Sequence, residues 1–254
     1  MADLFDVRGK TALVTGGSRG IGYMIADGLV RAGVDVVVAS RKEDELSAAA
    51  TQIGCEAIPA DLSTVDGAQA LGAAVAERFP KLGILVNNAG ATWGAPLDEF
   101  PESGWDRVID TNVKGIIFLT QSLLGPLRAA ATDEDPARVV NVGSIDGIKT
   151  PRHESYPYSA SKAAVHQLTR HLASRLAPDR ITVNAIAPGP FPSRMMAWAL
   201  DDPATRAEIE ARTPLGRVGS PEDAAGTAIF LCSRAGAYVT GAVIPVDGGI
   251  VAAG

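Results

Sequence analysis

Cysteine is scarce: Cys55 and Cys232 are the only two, far apart and in no CxxC or other metal-ligand spacing. That excludes a disulfide-built scaffold and a cysteine zinc site. Two buried thiols in a reducing compartment are expected, and no metal. Aromatics make up only 5% of the chain. Uninterrupted apolar runs of membrane-spanning length are missing, so no membrane partner is expected. Charge of one sign is not concentrated either. A net charge of −6 over 254 residues speaks against nucleic acid as a partner and leaves small molecules open. The opening Met1 to Gly9 carries Asp3 and Asp6 and does not read as a signal peptide, so a cytoplasmic protein is the expectation. Linkers, internal repeats and low-complexity tracts are also lacking, which makes residues 1–254 one domain.

Present instead is a steady alternation of short β-rich runs and Ala-rich helical stretches. Strands are expected at Thr11–Thr15, Val34–Ala39, Ala57–Pro59, Ile84–Asn87, Arg138–Val142, Ile181–Ile186 and Ala242–Val246. Between them, helices are expected at Ile21–Ala32, Glu43–Ile53, Thr64–Phe79, Trp105–Arg128, Ser159–Leu176 and Pro221–Ser233. The Val-rich runs suit strands buried on both faces. Repeated βαβ units imply an α/β fold: a doubly wound parallel sheet of Rossmann type with helices on both faces. One stretch, 188–217, breaks the rhythm and is rich in Pro, Met and Trp. It follows a strand's carboxyl end, where ligands bind in such sheets, and so reads as an irregular substrate lid.

After the first strand comes Thr15-Gly16-Gly17-Ser18-Arg19-Gly20-Ile21-Gly22, leading into a helix. Glycines there let the backbone approach a pyrophosphate, and the helix N-terminus offers free N–H groups to the anion. The spacing departs from plain GxGxxG, and a tight turn alone would look similar; the strand–turn–helix setting favours a dinucleotide. The second strand ends in Ser40-Arg41-Lys42 with no acid to hold a ribose 2′-hydroxyl. A 2′-phosphate would meet Arg41, Ser40 and Arg19, so NADP(H) is the expected cofactor. The plainer alternative is a solvated helix start.

Tyr158 and Lys162 stand four apart on one helix face. A nearby ammonium should lower the phenol's pKa and let it trade a proton with a substrate oxygen. Ser144, just beyond a strand, could hold that oxygen. Asn112 lies inside a helix, where a water relay and a structural hydrogen bond weigh about evenly. Trp93, Phe191, Met195, Met196, Trp198 and Leu200 would border the nicotinamide as an apolar, adaptable pocket. For Met196 and Trp198, packing within a lid helix stands equal to that reading. His153 could reach the site mouth or simply sit on an exposed loop; His166 and His171 read as structural.

Together these motifs resemble the short-chain dehydrogenase/reductase family over essentially the whole chain. Thr15 to Gly22 is similar to its TGxxxGIG, Asn87-Asn88-Ala89-Gly90 to its NNAG, and Pro188-Gly189 to its PG motif. Asn112, Ser144, Tyr158 and Lys162 match its catalytic tetrad in order and spacing. The resemblance implies Tyr158 as proton donor in reduction and Lys162 as its partner and as a ribose ligand. It implies Ser144 as polariser of the carbonyl and Asn112 as organiser of a relay water. It also implies cofactor contacts from Asp61, Leu62, Asn88, Ala89, Gly90, Pro188, Gly189 and Ser193, the last in place of a more usual Thr. A homotetramer follows from the resemblance alone, through the helices after Trp105 and Ser159 and the C-terminal segment from Gly236. A narrower similarity, over Leu85–Gly94, Asn184–Met195 and Gly236–Gly249, is to NADPH-dependent 3-oxoacyl reductases of the rhamnolipid-associated branch. The implied reaction is reduction of a 3-oxoacyl thioester or similar apolar ketone. Oxidation of a steroid, polyol or sugar alcohol is the alternative. A cofactor-binding regulator without turnover would be expected to have a broken tetrad.

Overall fold

In the computed structural model, which describes residues 4–151 and 153–253, seven parallel strands form one sheet in the order β3-β2-β1-β4-β5-β6-β7. Asp3, in the opening segment, lies outside the described residues. The strands are β1 (Thr11–Thr15), β2 (Asp35–Ser40), β3 (Glu56–Pro59), β4 (Ile84–Asn87), β5 (Ala137–Val142), β6 (Ile181–Pro188) and β7 (Val243–Val246). The helices are α1 (Gly20–Arg31), α2 (Glu43–Ile53), α3 (Val65–Arg78), α4 (Glu102–Ile109), α5 (Gly115–Ser122), α6 (Leu124–Ala130), α7 (Tyr156–Leu176), α8 (Ala197–Leu200), α9 (Pro203–Arg212) and α10 (Pro221–Cys232).

The apolar strand runs divide by parity between two cores, as a pleated sheet covered on both faces requires. Ala12, Val14, Val36, Val38, Ile84 and Val86 pack beneath α1 and α10. Leu13, Val37, Ala39, Leu85 and Val139 point the other way, under α3, α5 and α7. Strand order reverses at β1, whose neighbours are β2 and β4. Loops leaving β1 and β4 therefore turn to opposite faces and leave a crevice at their carboxyl ends.

Three expectations change. The long helix expected from Trp105 to Arg128 is three helices. Residues Asp110–Lys114 form a π-turn between α4 and α5, and the chain breaks again at Leu123. Pro126 accounts for the second break, because it has no N–H to give and its ring crowds the carbonyl four residues back. The segment 188–217 is not irregular throughout: it folds α8 and α9, and the Asp202 carboxylate caps α9 by accepting from the Thr205 N–H at 2.8 Å. The catalytic-helix candidate α7 starts three residues earlier than expected, with Pro157 in its first turn, where a missing N–H costs nothing.

Helices α1 and α10 touch because Gly28 has no side chain; a Cβ there would stand 2.4 Å from the Ala225 Cβ. We expect Gly28→Val to overpack this contact and cost about 1–3 kcal/mol. Thermal unfolding would show it as a lowered midpoint, and an unchanged midpoint would mean the helices separate freely.

Candidate active site

The crevice is built by stitching two loops together. Thr15, the last residue of β1, accepts on its hydroxyl from the Asn88 N–H at 2.9 Å and the Ala89 N–H at 3.0 Å. The same hydroxyl donates to the Val86 carbonyl. The Asn88 amide donates back to the carbonyls of Thr15 and Gly16, at 2.9 and 3.1 Å. A Cβ on Gly16 or Gly22 would collide with this amide, at 2.7 and 2.3 Å. Glycine is further required at Gly16 by its φ of 65°. Asn88 is thus a brace for the glycine loop. On the far side, a Cβ on Gly20 would lie 3.2 Å from the Ser193 Cβ, so the loop after β6 reaches over the start of α1. Pro188 is buried at the end of β6, and Gly189 leaves room for Asp247.

At the outer end of the crevice, Arg19 pairs with Glu45 at 2.8 Å. Lys42 and Arg194 converge on the same carboxylate, at 2.8 and 3.6 Å. Ser18 is half-buried beside Arg19, and Ile21 is half-buried in the first turn of α1. Arg41 is exposed and has no carboxylate within ion-pair distance among the described residues. The Ser40 hydroxyl beside it is buried without a hydrogen-bond partner among the described residues. An orphaned hydroxyl, an unpaired guanidinium and a glycine cradle with no room for a Cβ together fit a phosphorylated ribose and a pyrophosphate. Two of the expected cofactor contacts, Asp61 and Leu62, also have partners within the fold, although Asp61 is exposed. The Asp61 carboxylate accepts from the N–H and hydroxyl of Ser63. Leu62 is buried in the second core, its carbonyl over Gly115.

Deeper in lie the four tetrad residues. Asn112 is fully buried within the π-turn. Its Oδ1 accepts from the Ala91 N–H at 2.7 Å, and its Nδ2 donates to the Ala91 carbonyl at 3.0 Å and the Ser161 hydroxyl at 2.9 Å. The side chain is therefore a strut between the β4 loop and α7, which favours the structural of the two expectations for it. Lys162 is only 5% exposed. Its Nζ donates to the Val142 carbonyl at 2.8 Å, close to Gly90. Burial holds the ammonium down to about 8. It lies 5.5 Å from the centroid of the Tyr158 ring, over its face.

The expected lowering of Tyr158 by Lys162 is not what this geometry produces. Burial pushes the phenol up to about 12, and the Ser144 hydroxyl beside it offsets only part of that rise. The nearby Asp146 carboxylate raises it further. Desolvation is the largest of these effects, because the phenol is buried away from water. Ser144 itself is nearly buried and accepts from the Asp146 N–H at 3.1 Å, which fixes the short turn Ile145–Gly147.

The apolar pocket expected from six residues is only partly assembled. Phe191 is a core residue: it is 2% exposed, and its ring fills the space left by Gly219. The Trp93 ring packs on Gly104 of α4, with the Arg107 guanidinium 5.8 Å above it. Met195 and Trp198 are exposed, the latter by 71%, while Met196 and Leu200 are half-buried. His153 is an exposed loop residue, as the second of its two expectations had it, with its Nε2 3.6 Å from the Asp146 carboxylate.

Sequence reasoning passed over Asn141 and Thr169, and took Asn87 only as a motif position. Asn87 donates to Asn141 at 2.9 Å, and Asn141 donates to Thr169, forming a buried ladder from β4 through β5 to α7. Polar residues inside otherwise apolar strands were the available signal. His166, one turn beyond Lys162, is wedged against Gly143 and Gly147 on either side of Ser144, where no Cβ would fit. Its buried Nε2 has no hydrogen-bond partner among the described residues, and burial with Lys162 and Arg170 nearby holds its pKa down to about 4. The unfolded histidine takes up its proton near its ordinary pKa of about 6.5. The stability of the neutral, buried form is therefore present above that pH and lost as pH falls toward 4. The loss should reach up to about 3 kcal/mol. Denaturant midpoints at pH 7 and pH 5 should converge in His166→Gln and stay apart in the parent. Equal acid sensitivity in both would assign the effect elsewhere.

Comparison with known proteins agrees with this geometry. A family pattern described as enoyl-(acyl carrier protein) reductase matches residues 16–251. The chain is 49% identical over 253 residues to a rhamnolipids biosynthesis 3-oxoacyl-[acyl-carrier-protein] reductase of Pseudomonas aeruginosa, covering 98% of this chain and 99% of that one. It is 36% identical to a gluconate 5-dehydrogenase of Gluconobacter oxydans, over 98% and 97% of the two chains. Among solved structures, the Pseudomonas aeruginosa RhlG/NADP active-site complex superposes with a TM-score of 0.95 at 48% identity, over 99% of this chain and 100% of that one. With the sheet order, the glycine cradle and the Ser144–Tyr158–Lys162 cluster, these relationships place the chain in the short-chain dehydrogenase/reductase family of oxidoreductases.

Proposed function

We propose that this protein is an NADP(H)-dependent reductase of a ketone, with a 3-oxoacyl thioester or similar apolar carbonyl as substrate. The observation that carries the cofactor assignment is the end of β2: a buried, unpartnered Ser40 hydroxyl beside an unpaired Arg41, with no acid in place. The substrate assignment is supported by the 49% identical relative, which is named as a 3-oxoacyl reductase. Residues 1–254 act as one dinucleotide-binding and catalytic domain, in which 188–217 is the substrate lid. Met195, Met196 and Trp198, exposed or half-buried in the lid, supply apolar surface that a bound acyl chain would cover. Trp93 borders the same mouth. A cytoplasmic homotetramer is part of this reading, supported by the exposed Trp105 on α4 and the fully exposed Tyr238 near the C-terminus.

NADPH supplies the hydride when bound. The chain's own residues handle binding and the proton. Gly16, Ser18, Gly20, Ile21 and Gly22 offer the pyrophosphate a backbone cradle and the N-terminus of α1. Arg41 and Ser40 take the 2′-phosphate, joined by Arg19 once it leaves Glu45. Ala89, Gly90, Pro188, Gly189 and Ser193 bound the inner crevice, and Lys162 holds the ribose beside them. Asp61 and Leu62 bound the adenine end, where the exposed Asp61 carboxylate keeps its Oδ2 free among the described residues while its Oδ1 accepts from Ser63. Ser144 donates to the substrate carbonyl oxygen and orients it. With its pKa raised to about 12, the Tyr158 phenol stays loaded with the proton it delivers to that oxygen. Asn112 keeps α7 and the β4 loop in register, so that Lys162 and Gly90 face the same space.

The decisive experiment is NADPH and NADH oxidation with 3-oxoacyl thioesters of increasing chain length, beside unrelated ketones. Turnover with NADPH that rises with chain length supports the reading. Turnover confined to sugar or steroid ketones replaces the substrate, and none at all points to a cofactor-binding regulator. Two substitutions test the roles. Tyr158→Phe should lower kcat by at least about 100-fold, the usual weight of a positioned proton donor, with NADPH binding nearly intact. Substantial residual activity would assign the proton to another group. Arg41→Ala should weaken NADPH binding by about tenfold or more, as loss of a charge-assisted contact does, and NADH binding far less. Equal weakening would remove the 2′-phosphate assignment.

A further inference from the structure

His166 has no role in the proton transfer described above, yet it stands against the turn that carries Ser144. That turn begins at Gly143, whose N–H donates to the Ile186 carbonyl of β6 at 2.7 Å. It closes where the Gly147 N–H donates to the Ser144 carbonyl at 3.0 Å. On the side of α7 it rests on the imidazole. A Cβ on Gly143 would run into the His166 ring, whose Nε2, Cδ2 and Cε1 are the nearest atoms to it. A Cβ on Gly147 would stand 2.9 Å from the His166 Cε1 and 2.6 Å from the carbonyl carbon of Lys162. Neither glycine has a positive φ, so close approach rather than backbone angle excludes a side chain at both.

The imidazole is an expensive choice for filling that space. His166 is 3% exposed, and its Nε2 has no hydrogen-bond partner among the described residues. An apolar side chain of similar volume would fill the same hollow without an orphaned polar atom. The ring's fit is to the turn on either side of Ser144. The Ser144 hydroxyl accepts from the Asp146 N–H at 3.1 Å, which leaves its O–H to donate to a substrate oxygen. Tyr158 and Lys162 ride on the same helix as His166, two turns and one turn earlier.

We propose that His166 is a positioning residue for Ser144: its imidazole, packed between Gly143 and Gly147, sets how far the Ser144 hydroxyl stands from α7 and so from the Tyr158 phenol. The inference rests on the reductase chemistry assigned to Ser144 and Tyr158, and it deepens that reading without depending on which ketone is reduced. Removing the ring lets the turn sink toward the helix. A displacement of about 1 Å misplaces the donor to the carbonyl oxygen, and errors of that size cost up to about 100-fold in rate.

The test uses the full-length enzyme with NADPH and the N-acetylcysteamine thioester of 3-oxohexanoate. His166→Ala should lower kcat by about tenfold or more, with NADPH affinity near that of the parent. His166→Gln, which keeps the length and a polar end, should recover most of the loss. In a Ser144→Ala background the same His166→Ala change should lower kcat by no more than about twofold, because the group it positions is gone. An equal loss in both backgrounds overturns the proposal. So does full activity in His166→Ala, a glutamine as damaging as alanine, or NADPH affinity that falls in step with kcat. Gly143→Ala probes the same contact from the turn. It should lower kcat alone and regain part of it when combined with His166→Ala, and no recovery again counts against the contact. Hydrogen exchange of the 143–148 amides needs no turnover. It should be faster in His166→Ala than in the parent or in His166→Gln, with the amides of α1 unchanged, and exchange unaltered in His166→Ala overturns the proposal. If the parent reduces no ketone, the proposed function fails, while the exchange still decides whether His166 holds the turn.

Discussion

The site depends on one contact pair: the Thr15 hydroxyl held by the β4 loop, and the Asn88 amide held by the β1 loop. At the point where strand order reverses, the chain leaves β1 toward one face and β4 toward the other. Nothing in the sheet ladder keeps those two exits together beyond the last paired residues, Val14 and Val86. Thr15 and Asn88 extend the pairing past that point with side chains. Because the Asn88 amide occupies the space where side chains on Gly16 and Gly22 would stand, the same contact explains why the turn is made of glycine. The cradle's width is set by a hydrogen-bonded amide rather than by the ligand, so it is formed in advance.

A second constraint follows from burial. Lys162, Asn112, Asn87, Asn141 and Thr169 are all removed from water, and each is anchored by hydrogen bonds to a neighbouring strand or helix. Such groups are expensive to bury and lose most of their value if displaced, so they lock α7 against β5 and the β4 loop. The same desolvation moves the phenol and the ammonium in opposite directions, to about 12 and about 8. Each is thereby biased toward its neutral form. An acid that keeps its proton is suited to giving it only when a better base, the developing alkoxide, arrives.

Much of this was legible in the sequence, and the exceptions have definite causes. Strand positions followed from Val-rich runs, because parallel strands covered on both faces leave little choice of residue. The tetrad positions followed from a helical spacing and a strand end. The helix around Asn112 was misread because periodicity is blind to a π-turn: apolar spacing continues through it while one residue is added to the turn. Phe191, which fills a gap in the core and also borders a cavity with Pro190, Pro214 and Leu215, was ambiguous for a related reason. A buried aromatic on a loop near a site looks the same in sequence whether it faces a ligand or fills the gap left by Gly219, 28 positions later. Asp146, His166 and Ser161 carried no periodic signal, and their placement depends on three segments meeting in space.

The charge layout of the crevice gives these local facts a direction. At its outer end, Arg19, Lys42 and Arg194 crowd one carboxylate, Glu45, while Arg41 makes no ion pair among the described residues. At its inner end the Asp146 N–H holds the Ser144 hydroxyl, and Lys162 is buried under the Val142 carbonyl. In a protein whose overall charge is only −6, the charged rim comes from where a handful of side chains are held, not from composition.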